Sequence, residues 1–203
     1  MPLPAPAPRR HLHTRAITCE GFQRDDGLWD IEARIIDTKS YAYEEPIRGH
    51  REPGDEVHHM AVRLTLDQEM TVRDIEVDMP STPYAACQGA APSFKTLVGR
   101  RIGPGWRKAV NECVGGTLGC THMRELLFPM ATVAYQTMVG WTSDSDETSA
   151  RSATAAGGRP YFLDGCRAWA SDGEVVVQLY PQFAVRRSGA TADVVGGTGG
   201  SQD

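Results

Sequence analysis

The 203-residue sequence predicts an α+β fold, an antiparallel sheet with an N-terminal hairpin packed against a layer of helices. Residues 13–78 hold four stretches in which apolar side chains recur at every second position. That period marks a half-buried strand. After Met79 the period lengthens to that of a helix, most clearly over 121–139. Strands come first and helices after, which argues against the alternating order of a doubly wound parallel sheet.

Each element has its own signal. Residues 13–24 read as a strand, and Asp25-Asp26-Gly27 as the hairpin turn that ends it. Over 29–37, Trp29, Ile31, Ala33 and Ile35 share one face, and Asp30, Glu32, Arg34 and Ile36 the other. Residues 41–56, with Pro46, Gly49, Pro53 and Gly54, read as a loop. Strands follow over 59–66 and 71–78. Residues 83–98 and 104–114 read as short helices, each with a proline near its start. Gly115–Gly119 is a connector. Residues 121–139 form the long helix, with Thr121 at its cap, Leu126, Leu127, Met130, Val133, Ala134, Thr137 and Met138 at helical spacing, and a kink at Pro129. A short helix over 161–170 and a last strand over 174–180 complete the pattern. The domain organisation that follows is an extended arm at 1–9, a single domain at 10–187 with a flexible insert at 143–159, and a disordered tail at 188–203.

Composition excludes several classes of function. Net charge is −5 and no basic stripe occurs, so nucleic acid is not an expected partner. The longest apolar stretch, near 126–139, is interrupted by Pro129, Thr132, Tyr135 and Gln136, and no membrane span is expected. The N-terminus lacks the apolar core of a signal peptide, so the expected location is cytoplasmic. The five cysteines are then reduced. Cys19, Cys113 and Cys166 have no histidine neighbour and are expected to be inert and at least half-buried. There is no GxGxxG and no GxxxxGK[ST], so no nucleotide cofactor is expected. A homodimer remains an open assembly.

Chemistry concentrates on a few residues. Cys120 sits where the long helix begins, and helix N-termini favour thiolates. His122 follows within one turn, so the two can share a metal or act as nucleophile and base. His58 and His59 open a strand, and neighbouring side chains there point to opposite faces. One of the two therefore faces the covered side. Cys87 lies just after Tyr84, where the last strand of the sheet gives way to helix. Asp30 or Glu32 can serve as a general base held by Arg15 or Arg24. Trp29, Tyr84 and Trp106 offer an aromatic lining for a flat ligand.

The words His13-Thr14-Arg15, Arg24 to Glu32, Asp37-Thr38-Lys39, His58-His59-Met60, Pro83-Tyr84 with Cys87, and Gly119-Cys120-Thr121-His122 with Glu125-Leu126-Leu127 resemble a bacterial family, the domain of unknown function DUF2889. The resemblance covers residues 13 to about 135 and implies a link to bacterial breakdown of aromatic compounds. Residues 58–139 also resemble the iron–sulfur scaffold proteins of the NifU and SufU type. There Cys87 and Cys120 match the second and third scaffold cysteines, while Glu56-Val57-His58 stands where the scaffold has Cys-Gly-Asp. That likeness implies that His58, Cys87, Cys120 and His122 converge on one zinc or iron ion.

Two functions compete. One is a small-molecule enzyme without an organic cofactor, a lyase or hydrolase of an aromatic or acyl substrate. Its catalytic set is His58, His59, Cys120, His122, Asp30, Glu32 and Tyr84, with Arg15, Arg24, Trp29 and Trp106 binding substrate. The other is a metal-binding or scaffold-type protein without turnover.

Overall fold

In the computed structural model, which describes residues 3–138, 159–160 and 162–185, the alternating stretches become four long strands. They are β1 (His13–Gln23), β2 (Trp29–Lys39), β5 (Glu56–Leu66) and β6 (Val72–Ser81). The sheet order is β1-β2-β5-β6, and each pair is antiparallel. Gly27 makes the first turn with φ 83°, a conformation that suits glycine. The expected loop after β2 instead carries a small hairpin, β3 (Tyr43–Glu45) and β4 (Gly49–Arg51).

One face of the sheet is covered. Trp29, Ile31, Ala33 and Ile35 of β2 and Met60, Val62, Leu64 and Leu66 of β5 are buried there. They meet α1 (Trp106–Val114) through Trp106, Val110 and Val114, and α2 (Thr121–Met138) through Met123, Leu126, Leu127, Met130 and Ala134. Trp106 also donates its indole N–H to the Leu127 carbonyl at 2.9 Å. The expected first helix, 83–98, is a series of tight 3-10 turns over Ala85–Leu97. Gly89 and the internal Pro92 disfavour a regular α-helix there. Pro129 lies on the exposed side of α2, and the helix continues through it. No helix among the described residues is long and apolar enough to cross a membrane.

Burial also sets the register. A one-residue slip of β5 would turn Met60, Val62, Leu64 and Leu66 to the other face. At ~1.5–3 kcal/mol each this would cost on the order of 6–12 kcal/mol. Asp37 of β2 is thereby held opposite His58 of β5, and Arg15 of β1 opposite Asp37.

Close approach of α2 to β1 depends on Gly21. A Cβ at that position would stand 1.9 Å from Thr137 Oγ1 and 2.7 Å from Thr137 Cβ, so no side-chain rotation relieves it. Gly21→Ala is expected to destabilise the protein by ~1–3 kcal/mol, read as a lower urea midpoint. An unchanged midpoint would contradict this packing.

The chain divides into two units, Met1–Ala150 and Arg151–Asp203, where the sequence reads as one domain over 10–187. The second unit is built on Leu163 and Val176, which are buried, and on the rings of Phe162, Trp169 and Tyr180. Asp164 accepts hydrogen bonds from the Ser171 backbone N–H and hydroxyl, each at 2.8 Å, and pairs with Arg159. The expected strand over 174–180 is a short helix, α3 (Glu174–Leu179). Three consecutive valines at 175–177 favour a strand, but among the described residues this unit has no strand to pair with. The expected helix over 161–170 reduces to 3-10 turns at Arg167–Trp169. The expected insert, Arg159 apart, and the expected tail lie outside the described residues.

Candidate functional site

The apolar alternation on the covered face ends in polar residues. On β2 the buried series 29, 31, 33, 35 continues to Asp37, which is 1 % exposed. On β5 the series 66, 64, 62, 60 continues back to His58. Arg15, Asp37 and His58 therefore form a row across three adjacent strands. A buried carboxylate without partners is costly. Asp37 has them on both oxygens. Arg15 Nε donates to Oδ1 and Arg15 Nη2 to Oδ2, each at 2.7 Å. His58 Nδ1 lies 2.9 Å from Oδ2, and His13 Nε2 lies 3.4 Å from Oδ1.

A bulge shapes the end of the row. Asp37 pairs with His58, but Thr38 pairs with Glu56, so Val57 is an extra residue. The carbonyls beside it are taken up elsewhere. Arg48 donates to Val57 O at 3.2 Å and to Glu56 O at 3.4 Å, and Ser81 Oγ donates to Glu56 O at 2.9 Å. Arg48 is itself held by the buried carboxylate of Glu45 in the small hairpin. The β3–β4 hairpin thus fixes the backbone that carries His58.

The start of α2 brings the remaining groups. Arg124 N donates to Cys120 O at 2.9 Å, which makes Cys120, and not Thr121, the capping residue. Gly119 packs so tightly that a Cβ there would lie 2.4 Å from Val114 O. This contact sets where α2 begins. The His122 ring then lies over the His58 ring, with centroids 3.8 Å apart and planes tilted by 32°. Cys120 Sγ is 3.9 Å from His122 Nδ1 and 3.9 Å from Met60 Sδ.

Protonation follows from this geometry. Burial by itself raises the Asp37 carboxyl, but the hydrogen bonds and charges of Arg15 and His58 outweigh it and hold the group below the ordinary carboxylate range. An ionised carboxylate only accepts, so His58 carries its proton on Nδ1 and leaves the Nε2 lone pair open. Burial lowers the His58 pKa, and Arg15 and Arg48 add to this against the opposing pull of Asp37. Burial also lowers that of His122, with His58 adding to it. Both imidazoles are therefore neutral at pH 7.

Each of these histidines is depressed in the folded state relative to the ordinary value of about 6.5. The stability they contribute is present above that value and is lost as pH falls through the lower, folded values. Thermal melting between pH 7 and pH 5 is expected to show this loss, and a His58→Asn, His122→Asn double variant is expected to show a shallower slope. Equal slopes would contradict the assignment.

A model of the DUF2889 family, described as proteins of unknown function, matches residues 13–136, more than half of the chain. The chain belongs to the DUF2889 family. No curated protein and no solved structure matches it. The DUF2889 region begins at His13, the first residue of β1, and takes in the whole row and the start of α2. Arg15, Asp37, His58, Cys120 and His122 all fall within it.

In this DUF2889 chain His58 and His122 come together, with Cys120 beside His122. Cys87 does not join them. Among the described residues, the one group of three or more histidine, cysteine or acidic side chains with donor atoms within 4.8 Å of one another is Asp37, His58 and His122. Cys87 sits in the 3-10 turns after β6, partly buried against the core. His59 points to the other face of the sheet and pairs with Glu56 at 3.0 Å. Asp30 and Glu32 are on that face too. Asp30 accepts from Thr65 Oγ1 at 2.7 Å, and Glu32 from Arg63 at 2.7 Å. Arg15 belongs to the row, while Arg24 pairs with the exposed Asp26 in the turn and stands 3.6 Å from Asp30, away from the row. Trp29 and Trp106 are core residues, and Tyr84 is 49 % exposed. All five cysteines are free; Cys19 and Cys113 are half-buried as expected, but Cys166 is exposed. Burial raises the Cys19 thiol pKa, in keeping with an inert side chain. Asp37 is the residue that sequence reasoning left out of the site, although the alternation through Ile35 points to its position.

Proposed function

We propose that this protein is a small-molecule enzyme without a nucleotide cofactor, in which His58 Nε2 acts as general base and then general acid. The observation that carries this reading is the Asp37–His58 hydrogen bond of 2.9 Å, backed by the bidentate Arg15. It sets the tautomer, orients the ring and stabilises the imidazolium that forms on proton uptake, which is what a base in acyl transfer or elimination requires. Arg15 uses Nε and Nη2 on Asp37, so its Nη1 can meet an anionic group of the substrate. His122 covers one face of the His58 ring, and Cys120 stands at the edge of the site. A lyase or hydrolase acting on an acyl or aromatic carboxylate fits these groups. A panel of acyl and aryl esters, thioesters and hydroxy acids, assayed with the native protein and with His58→Asn, tests it. Turnover that depends on His58 is the expected result, and turnover equal in both proteins contradicts it.

A metal-dependent reading rests on the convergence of Asp37, His58 and His122. Arg15 and His58 already occupy both Asp37 oxygens, so a zinc or iron ion here would bind His58 and His122 while Asp37 held His58 from behind. Elemental analysis of the purified protein before and after a chelator separates this reading from the first.

A further inference from the structure

We infer a soft-metal site, selective for Cu(I), formed by Cys120 Sγ, His122 Nδ1 and Met60 Sδ. None of its donors is His58 or Asp37, so it does not depend on the acid/base reading.

The geometry comes first. Cys120 Sγ lies 3.9 Å from Met60 Sδ and 3.9 Å from His122 Nδ1. For an ion with sulfur at about 2.3 Å and nitrogen at about 2.0 Å, donors at trigonal angles stand about 3.7–4.0 Å apart. Both separations from Cys120 Sγ fall in that range, so the thiol stands at ligand-pair distance from the thioether and from the imidazole. The donors come from two elements whose placement is independently fixed. Met60 is fully buried on β5, two residues along from His58 and on the same face of the sheet. Cys120 and His122 are delivered by the tightly packed start of α2 and are partly exposed. An ion can therefore reach the thiol and imidazole from solvent and find the thioether as the floor of the site.

The donor set decides the metal. Thiolate and thioether together are soft ligands that select Cu(I), whereas zinc sites are built from thiolate, imidazole and carboxylate. A thioether in a covered face is also an ordinary core side chain. What distinguishes Met60 is that its sulfur faces the only cysteine placed beside this histidine pair. Binding exchanges the thiol proton for Cu(I), with the proton released to solvent and no change in oxidation state.

The test uses the full chain, reduced and free of oxygen, titrated with Cu(I) against a chromogenic Cu(I) chelator of known affinity. X-ray absorption at the copper edge of the native protein is expected to show two sulfur neighbours and one nitrogen neighbour in a 1:1 complex. Met60→Leu keeps the volume of the core side chain and is expected to weaken Cu(I) by about tenfold or more. Cys120→Ser is expected to abolish tight binding. Circular dichroism checks that each variant folds. Cu(I) affinity unchanged in Cys120→Ser, or a copper spectrum without two sulfurs, overturns the site. Absence of tight Cu(I) binding by the native protein, alongside His58-dependent turnover, would overturn the copper site and leave the enzyme reading standing.

Discussion

Replacing His58 by asparagine (His58→Asn) is expected to lower turnover by about 10²–10⁴-fold while leaving the protein folded. The asparagine amide can donate to Asp37 as His58 Nδ1 does at 2.9 Å, so the buried carboxylate keeps a partner. What disappears is Nε2, the ring nitrogen that the Asp37 hydrogen bond does not use. The loss should fall on kcat, because the proton transfer and not the binding of substrate is removed. Arg15→Lys supplies the contrast. It retains a charge but cannot reproduce the two 2.7 Å bonds to Asp37, and its effect should appear in both kcat and KM. A His58→Asn protein that turns over substrate at the native rate would remove His58 from the reaction.

The second large effect is expected from Asp37→Asn. Asp37 is 1 % exposed and tied to β1 and β5 by charge-assisted hydrogen bonds. An amide can accept from His58 but cannot receive both Arg15 bonds, so a loss of about 1–3 kcal/mol is expected in urea unfolding. Turnover should fall on the order of 10²-fold, because the amide neither enforces the Nδ1–H tautomer nor stabilises an imidazolium. The variant also changes the response to acid. The native Asp37 pKa is depressed in the folded state, so its contribution is present above the ordinary carboxylate value and is lost as pH falls through the lower folded value. Asp37→Asn lacks that titration. It should lose less stability than the native protein between pH 5 and pH 2, and a parallel loss would contradict the role given to Asp37.

Much of the fold was legible because burial writes its period into sequence. Trp29, Ile31, Ala33 and Ile35, and then Met60, Val62, Leu64 and Leu66, alternate as a one-sided sheet must. Leu126, Leu127, Met130 and Ala134 recur as a covered helix face must. The β3–β4 hairpin was not legible, because its strands are only three residues long and its turn holds a charged side chain whose value lies in a distant contact, Arg48 with the carbonyls at 56 and 57. Residues 174–179 misled for the opposite reason. A run of valines carries strand propensity, but propensity yields where, among the described residues of this unit, there is no strand to pair with.

The site was half legible. His58, Cys120 and His122 stood out as reactive residue types, and His122 beside Cys120 follows from two-residue spacing at a helix start. Which of His58 and His59 turned inward required anchoring the alternation on Met60. Asp37 reads as another acidic residue of a charged strand until the β2–β5 register sets it against His58. Asp30 and Glu32, on the same strand, carry the same charge but the opposite parity, and the pleat sends them to the other face. Cys87 looked equivalent to Cys120 by type. Its 3-10 turns follow β6, the edge strand opposite β1, whereas α2 packs over β1, β2 and β5.

The central claim is that Asp37 holds His58 neutral, with its proton on Nδ1 and Nε2 free. Long-range ¹H–¹⁵N spectra of the histidine rings, assigned through His58→Asn, read both nitrogens directly. At pH 7 His58 is predicted to show a protonated Nδ1 and an unprotonated Nε2, and to titrate below about 6.5. A proton on Nε2, or an imidazolium at pH 7, would contradict the account.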